Sequence, residues 1–364
     1  MIYLDHHATT PLDPRVRSAM LPYFEAQFGN PHSRDHAIGW RAGEAVDKAR
    51  QDLARAINAE PDEIIFTSGA TEANNMALRG IDGDILASPI EHPSVLNARD
   101  VITFPIGKDG LIDPDCLAGA IGSGPRMVSV GLVNHEIGVI QPIAEIARVC
   151  RERDILLHVD CAQALGKIAV DVTALDIDLA SFSAHKAYGP MGIGALFIRR
   201  GVEVKPLITG GGQEMGLRAG TVPLPLVVGF ATAATIARQD LESDHARIEA
   251  LRDGLLAKLR QGIPGLVVNG SMTARIAGNL NLTLPGMGAE DFTLTLQNVA
   301  ISTGSACASG SNEPSSVLAA LRLDVDSTAR SIRLCLGRFT SAEEVDHAAD
   351  AMIAAWRKLA RQTR

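Results

Sequence analysis

The sequence has no Cys-x-x-Cys pair, no apolar run long enough to cross a bilayer, and no excess of positive charge. Its five cysteines, Cys116, Cys150, Cys161, Cys307 and Cys335, are odd in number and widely spaced. That pattern speaks against both a disulfide framework and a zinc knuckle. The longest apolar stretch, 224–237, falls short of the roughly 20 residues that a spanning helix needs. A formal net charge of −8 argues against nonspecific nucleic-acid binding and against a basic membrane-surface footprint. The first residues show no cationic stretch followed by an apolar one, so no secretory signal is expected and a cytoplasmic protein is. Internal repeats and low-complexity linkers are also missing. Gly210-Gly211-Gly212 stands alone, and Gly192-x-Gly194 lacks the third glycine and the following helix of a dinucleotide fingerprint.

What the chain does have is ordinary globular composition, 364 residues with 46% hydrophobic and 21% charged, enough for two domains and a large core. Amphipathic helices are expected over 15–28 and 33–58, the second with Ile38, Ala42, Ala45, Val46, Ala49, Leu53 and Ile57 at helical spacing. From residue 64 onward, apolar runs at 64–66, 85–87, 101–104, 127–133 and 155–159 alternate with helical patterns, among them 114–121 and 142–151. Such alternation predicts a mostly parallel sheet covered by helices, with ligands bound at the carboxyl ends of its strands. After Thr221 a long helical stretch reaches about Gln261. Strands at 266–268, 279–283 and 331–335 follow, and a final helix over 341–361 opens with a Ser-Ala-Glu-Glu capping box. This second region suits a smaller α+β domain joined by the N-terminal arm. The expected division is 13–240 for a large α/β domain, and 1–12 with 241–364 for the small one.

Several polar residues fall at expected strand ends. Lys186 lies in Ser181-Phe182-Ser183-Ala184-His185-Lys186-Ala187-Tyr188-Gly189-Pro190, a tight connection between runs at 177–180 and 192–198. An amine against a desolvated wall titrates low and attacks carbonyls, whereas a solvated loop lysine does neither. Gly69-Ala70-Thr71 opens a helix after a strand; backbone N–H groups there suit a phosphate, and an ordinary cap suits the same residues. Asp160 ends the run 155–159, with Gln163 three residues on. A carboxylate so placed can pair with a protonated pyridine nitrogen or cap the next segment. His6 and His7 have no third ligand at suitable spacing, so no metal is expected. Four cysteines sit among aliphatic residues and read as inert core thiols. Cys307 differs, on a Ser-, Gly-, Ala- and Thr-dominated loop at 302–316 that is expected to be mobile. One anionic, aromatic, aldehyde-bearing cofactor would explain the set.

Three ordered motifs sharpen this. They are Asp160-x-x-Gln163, Ser183-Ala184-His185-Lys186-x-Tyr188-Gly189-Pro190, and Gly211-Gly212-Gln213-Glu214-x-Gly216-Leu217-Arg218-Ala219-Gly220-Thr221. With Leu4-Asp5-x-x-Ala8-Thr9-Thr10-Pro11, Thr67-Ser68-Gly69-Ala70-Thr71-Glu72, Glu91-His92 and Gly304-Ser305-Ala306-Cys307, the chain resembles the cysteine desulfurases of the NifS/IscS group, enzymes of the class V aminotransferase fold. The resemblance implies a fold type I pyridoxal-phosphate-dependent α/β enzyme, with a mostly parallel seven-stranded sheet in its large domain. It implies that Lys186 carries pyridoxal 5'-phosphate, Asp160 pairs with the ring nitrogen, Gln163 bonds the ring hydroxyl and His92 stacks on the ring and assists proton transfer. Ala70, Thr71, Ser183 and His185 would hold the phosphate, with Thr221 reaching across from the other subunit of a homodimer. Arg333 would clamp the carboxylate of L-cysteine.

By the same resemblance, Lys186 removes the Cα proton, and Cys307 as a thiolate attacks the substrate sulfur, leaving a persulfide and alanine. The sulfur would pass to an acceptor protein such as an iron–sulfur scaffold or a sulfur carrier. One position departs from the family: His135 stands in Asn134-His135-Glu136 where a second asparagine usually contacts the cofactor hydroxyl and the substrate carboxylate. That leaves substrate fit, pH dependence and rate open. The chain also stops soon after its last expected helix, without the tail some relatives use to dock a scaffold. Alternatives are a selenocysteine lyase or another class V lyase. From a different class comes a sulfur-relay subunit with little turnover, against which the pairing of Lys186 with Cys307 argues.

Overall fold

Between Ile64 and Ile198, short runs of β-branched and aliphatic residues are punctuated by glycine, proline and capping side chains, and the chain alternates strand and helix accordingly. The computed structural model describes residues 1–122, 124–303 and 315–362. Its strands are β1 (Ile2–Tyr3), β2 (Ile64–Thr67), β3 (Ile85–Ala87), β4 (Ile102–Thr103), β5 (Met127–Gly131), β6 (Leu156–Asp160), β7 (Leu179–Ser183), β8 (Gly194–Ile198), β9 (Val267–Val268), β10 (Asn279–Thr283), β11 (Val299–Ala300), β12 (Ser302–Thr303) and β13 (Ser331–Cys335). The helices that matter here are α1 (Pro14–Phe24), α2 (Ala37–Ile57), α3 (Ala70–Gly80), α4 (Pro93–Leu96), α5 (Pro114–Ile121), α6 (Ile143–Arg151) and α7 (Leu224–Gly262).

Seven strands form one sheet in the order β2-β8-β7-β6-β5-β3-β4. Only β8 runs against its neighbours, antiparallel to both β2 and β7. The β7-β6-β5-β3-β4 part is parallel throughout. The carboxyl ends of β2, β3, β5, β6 and β7 therefore share one edge of the sheet with the start of β8. A second, four-stranded sheet has the order β12-β13-β10-β9, and β1 pairs with β11 in parallel. The N-terminal arm thus pairs with a strand from the C-terminal part of the chain.

Apolar burial follows the same split. One core packs Leu53, Phe66, Phe182 and Phe230 about the large sheet, and another packs Leu4, Leu259, Leu280, Phe292, Leu334 and Met352 about the small one. α7 serves both, with Val227, Phe230 and Ala234 in the first core and Leu255, Leu256 and Leu259 in the second. At 39 residues and about 1.5 Å per residue it is long enough to do so.

Three expectations change. The strand expected at 177–180 is Leu179–Ser183; the serines belong to it because Ser181 Oγ finds His158 Nε2 at 3.0 Å on the neighbouring strand, which removes the penalty of burying a hydroxyl. Ile38 lies on α2 but faces outward, 47% exposed, like Trp40 beside it. Cys116 is partly exposed on α5, unlike the buried Cys150, Cys161 and Cys335. The final helix, Ala342–Gln362, starts with the expected reciprocal cap between Ser341 and Glu344.

Candidate active site

The shared edge of the large sheet opens into a cavity of about 610 Å³. Register brings its floor together: Gly131 pairs with Asp160, Asp160 with Ser181, and Ser183 with Gly194. Gly194 is required by packing, since a Cβ there would lie 2.4 Å from Phe182 O and 2.6 Å from Gly69 Cα. Lys186 ends a single 3-10 turn, Ala184–Lys186, directly after β7. Two residues later Tyr188 takes φ +62°, a conformation that non-glycine residues adopt mainly where surroundings enforce it. Lys186 Nζ donates to the carbonyls of His7 and Ala8, the latter at 2.8 Å. The N-terminal arm therefore aims the amine.

Asp160 ends β6. Its Oδ2 accepts from Asn74 Nδ2 at 2.8 Å and its Oδ1 from the Ala162 N–H at 2.9 Å. Asn74 also donates to Ser94 Oγ at 2.8 Å. Ser94 N in turn donates to His92 Nδ1 at 3.0 Å, which fixes Nδ1 as the acceptor nitrogen and leaves the ring proton on Nε2. Burial and the nearby Lys186 hold the His92 imidazole below its ordinary range, against the pull of Asp160. Gln163 Nε2 donates to His7 O at 2.9 Å.

One wall is the start of α3, where no side chain caps the helix. Gly69, Ala70 and Thr71 at its start line the same cavity as Ser183 and His185. Uncapped N–H groups on an 11-residue helix make a ready anion cradle. Burial and the amines of Lys186 and Lys167 bring His185 down to about 4, so at neutral pH it offers a hydrogen bond and no charge. The donor set suits a phosphate, and Asp160 suits a protonated ring nitrogen.

On the opposite side Arg333, on β13, is 3% exposed and lines the cavity. Its Nη1 donates to His135 O at 3.0 Å and its Nη2 to Asp5 Oδ1 at 2.8 Å. Ser302 Oγ closes the triangle on Asp5 Oδ2 at 2.8 Å. The His135 ring packs edge-on against His92, centroids 5.3 Å apart, and its Nε2 lies 3.7 Å from Glu136 Oε1. Burial pushes the two in opposite directions, the imidazole well below its usual range and the carboxyl up to about 7. Near neutral pH the imidazole is uncharged and the carboxyl is divided between its two forms. Asp5→Asn is expected to loosen the guanidinium and raise KM for the amino-acid substrate roughly tenfold, with kcat little changed; steady-state kinetics check it.

Glu91 lines the same cavity as Asp160 and stays largely protonated at neutral pH. Burial, reinforced by Asp160, raises its carboxyl to about 8 against the opposing Gly131 N–H. Its ordinary value is 4.5, so the folded state holds a proton that the unfolded state releases. The corresponding stability is complete below about pH 4.5 and is lost as pH rises through about 8. Glu91→Gln should remove that slope, making the fall in melting temperature between pH 6 and pH 9 smaller by a few degrees.

Of the residues singled out by sequence, Ala70, Thr71, His92, His135, Asp160, Gln163, Ser183, His185, Lys186 and Arg333 all line this cavity. Thr221 is exposed and is not among its lining residues. Cys307 lies outside the described residues. Sequence reasoning assigned no role to Asp5, His7 or Asn74. The Leu4-Asp5-x-x-Ala8 motif contained a signal for the first; Asn74 carried none. Among the described residues no His, Cys, Asp and Glu group is arranged to hold a metal, and no helix is long and apolar enough to cross a membrane.

Comparison with known proteins fits this geometry. The family model described as aminotransferase class-V matches residues 2–347. The cysteine desulfurase IscS of Rickettsia bellii is 48% identical over 95% of this chain and 89% of its own. Among solved structures, a NifS-like protein aligns with a TM-score of 0.91 at 32% identity, covering 97% of this chain and 98% of that one. SspA, solved in complex with cysteine, aligns with a TM-score of 0.81 at 34% identity, covering 94% of this chain and all of its own.

Proposed function

The chain belongs to the class V aminotransferase family and is a pyridoxal-phosphate-dependent cysteine desulfurase, and from that premise we propose how its residues divide the work. The cofactor, when bound, supplies an electron sink for charge developing at the substrate Cα. Lys186 would hold the cofactor, and its Nζ, steadied by the His7 and Ala8 carbonyls, would take the substrate Cα proton. Asp160 keeps the ring nitrogen protonated, and Asn74 with the Ala162 N–H keeps the carboxylate in place. His92, its Nδ1 taken by the Ser94 N–H, would offer Nε2–H for proton transfer. The α3 N-terminus, Thr71, Ser183 and His185 take the phosphate, and Arg333 takes the substrate carboxylate. Cys307 receives the sulfur: its thiolate forms the new S–S bond as the substrate C–S bond breaks, and the substrate leaves as alanine.

The observation that carries this reading is the convergence of Lys186 and Asp160 on one cavity whose wall is an uncapped helix N-terminus. Incubated with L-cysteine and a thiol reductant, the purified protein is expected to be yellow and to release alanine and sulfide in equal amounts. No alanine would overturn the reading. A strong preference for selenocysteine would shift it to a selenocysteine lyase.

The same proposal extends to organisation. The large unit would be 13–240, and the small one 1–12 with 241–364, divided midway along α7. A second copy of the chain would cover the exposed Phe24, Phe28, Ile38 and Trp40 and contribute Thr221 to the phosphate. The work would be done in the cytoplasm, and sulfur would leave for a carrier or an iron–sulfur scaffold.

A further inference from the structure

The turn after β6 carries a second lysine that none of these roles uses. Residues 161–168 form successive tight turns: Ala164 N donates to Cys161 O, and Lys167 N and Ile168 N donate to Ala164 O. Gly166, at φ +77°, permits the reversal. The chain folds back so that Lys167 Nζ donates to Gln163 Oε1 at 2.5 Å. The residue keeps some exposure, yet its amine end is enclosed, and burial together with Lys186 and Arg333 brings it down to about 8 against the pull of Cys335. His6 and His7 face it as well. Among the described residues no carboxylate pairs with it. Its bond to the Gln163 amide is therefore its principal polar anchor.

An ammonium donates and cannot accept, so the Gln163 atom that meets it has to be the carbonyl oxygen. The amide nitrogen is thereby turned the other way, where it donates to His7 O at 2.9 Å, the carbonyl that Lys186 also uses. An amide nitrogen has two hydrogens, and the second is available to the cavity that Gln163 lines.

We propose that Lys167 is a positioning residue that locks the Gln163 amide with its nitrogen toward the ring oxygen of pyridoxal phosphate, so that this oxygen meets a donor and is favoured as an anion. The proposal rests on the cofactor reading above. Without Lys167 only the bond to His7 O holds the amide's orientation, so a flip that presents its oxygen costs less, which would disfavour the anion.

The test is a pH titration of the visible absorbance of the cofactor-loaded enzyme and its Lys167→Met, Lys167→Arg, Gln163→Ala and Gln163→Glu variants. A weakened donor lets the ring oxygen keep its proton to higher pH, so Lys167→Met should move the midpoint up by about one unit. Lys167→Arg should restore at least half of the shift. Adding Lys167→Met to Gln163→Ala should move the midpoint no further than Gln163→Ala alone. Should Lys167→Met fail to fold, Gln163→Glu decides: a carboxylate held by Lys167 offers the ring oxygen only acceptors and should shift the midpoint beyond Gln163→Ala. A midpoint indifferent to position 167, additive effects in the double variant, or Gln163→Glu behaving like Gln163→Ala would overturn the inference while the chromophore stands. A parent enzyme whose chromophore borohydride does not fix to Lys186 would overturn the cofactor reading itself, and the inference with it.

Discussion

Lys186→Ala is expected to reduce cysteine turnover on the order of a thousandfold or more, because one substitution removes both the tether and the base. Among the described residues it is the only lysine lining the cavity. Lys167 stands nearest in role, but its amine is bonded to Gln163 Oε1, on the side of that amide turned away from His7 O. The two lysines also differ in what faces them. Lys186 is aimed by two backbone carbonyls of the N-terminal arm, which accept hydrogen bonds and impose no countercharge. Borohydride treatment of the parent enzyme, followed by peptide mapping, should place the cofactor on Lys186. The Lys186→Ala protein should release its cofactor on dialysis after the same treatment. A dialysis-resistant chromophore in that variant would mean another amine is the anchor.

Much of this arrangement was legible in the sequence, and the exceptions have physical causes. Long periodic segments such as 224–261, 279–283 and 331–335 announce themselves because their apolar faces repeat at the spacing their cores require. β7 was placed too early because Ser181 and Ser183 look like loop residues. Both are buried in the strand; Ser183 lines the cavity, and Ser181 is accommodated because polar side chains on three adjacent strands satisfy one another: Ser129 Oγ meets His158 Nδ1 at 2.8 Å, and His158 Nε2 meets Ser181 Oγ at 3.0 Å. Burial keeps that histidine neutral, down to about 4. Such a chain across the sheet has no signature along the sequence.

The site divides in the same way. Residues at strand ends could be named, since a parallel sheet gathers those ends at one edge. Their supporting partners could not, because the distances that matter are set by tertiary packing. Asp5 reaches Arg333 across most of the chain's length, and Asn74 touches Asp160 from 86 residues away along the chain. His135 shows a third case. As a substitution it reads as a perturbation of cofactor and substrate contacts, yet its backbone carbonyl is also the acceptor for both His7 Nδ1 and Arg333 Nη1. Those two bonds would be present whatever side chain stood there. The departure from the family is therefore confined to the ring itself, which meets His92 edge-on.

Cys307→Ser is expected to cut release of alanine and sulfide at least about a hundredfold while leaving cofactor binding unchanged. Cys150 is pushed up to about 12 and Cys335 to about 11, both chiefly by burial, and Cys161 is raised well above its ordinary range. None of the three offers a thiolate near neutral pH. Cys116 is partly exposed, with its Sγ 3.8 Å from Pro105 O, and it is not among the residues lining the cavity. Of the described residues that flank Cys307, Ser302 lines the cavity. On the other side Ser315 Oγ donates to Glu136 Oε2 at 2.6 Å, next to His135. A serine hydroxyl at 307 keeps the size and polarity of the side chain but cannot accept sulfur as a persulfide. The substrate should still bind and change the cofactor's absorbance, and turnover should stall before sulfur leaves. Full sulfide release by Cys307→Ser, with the cofactor normally bound, would show that the sulfur departs by another route.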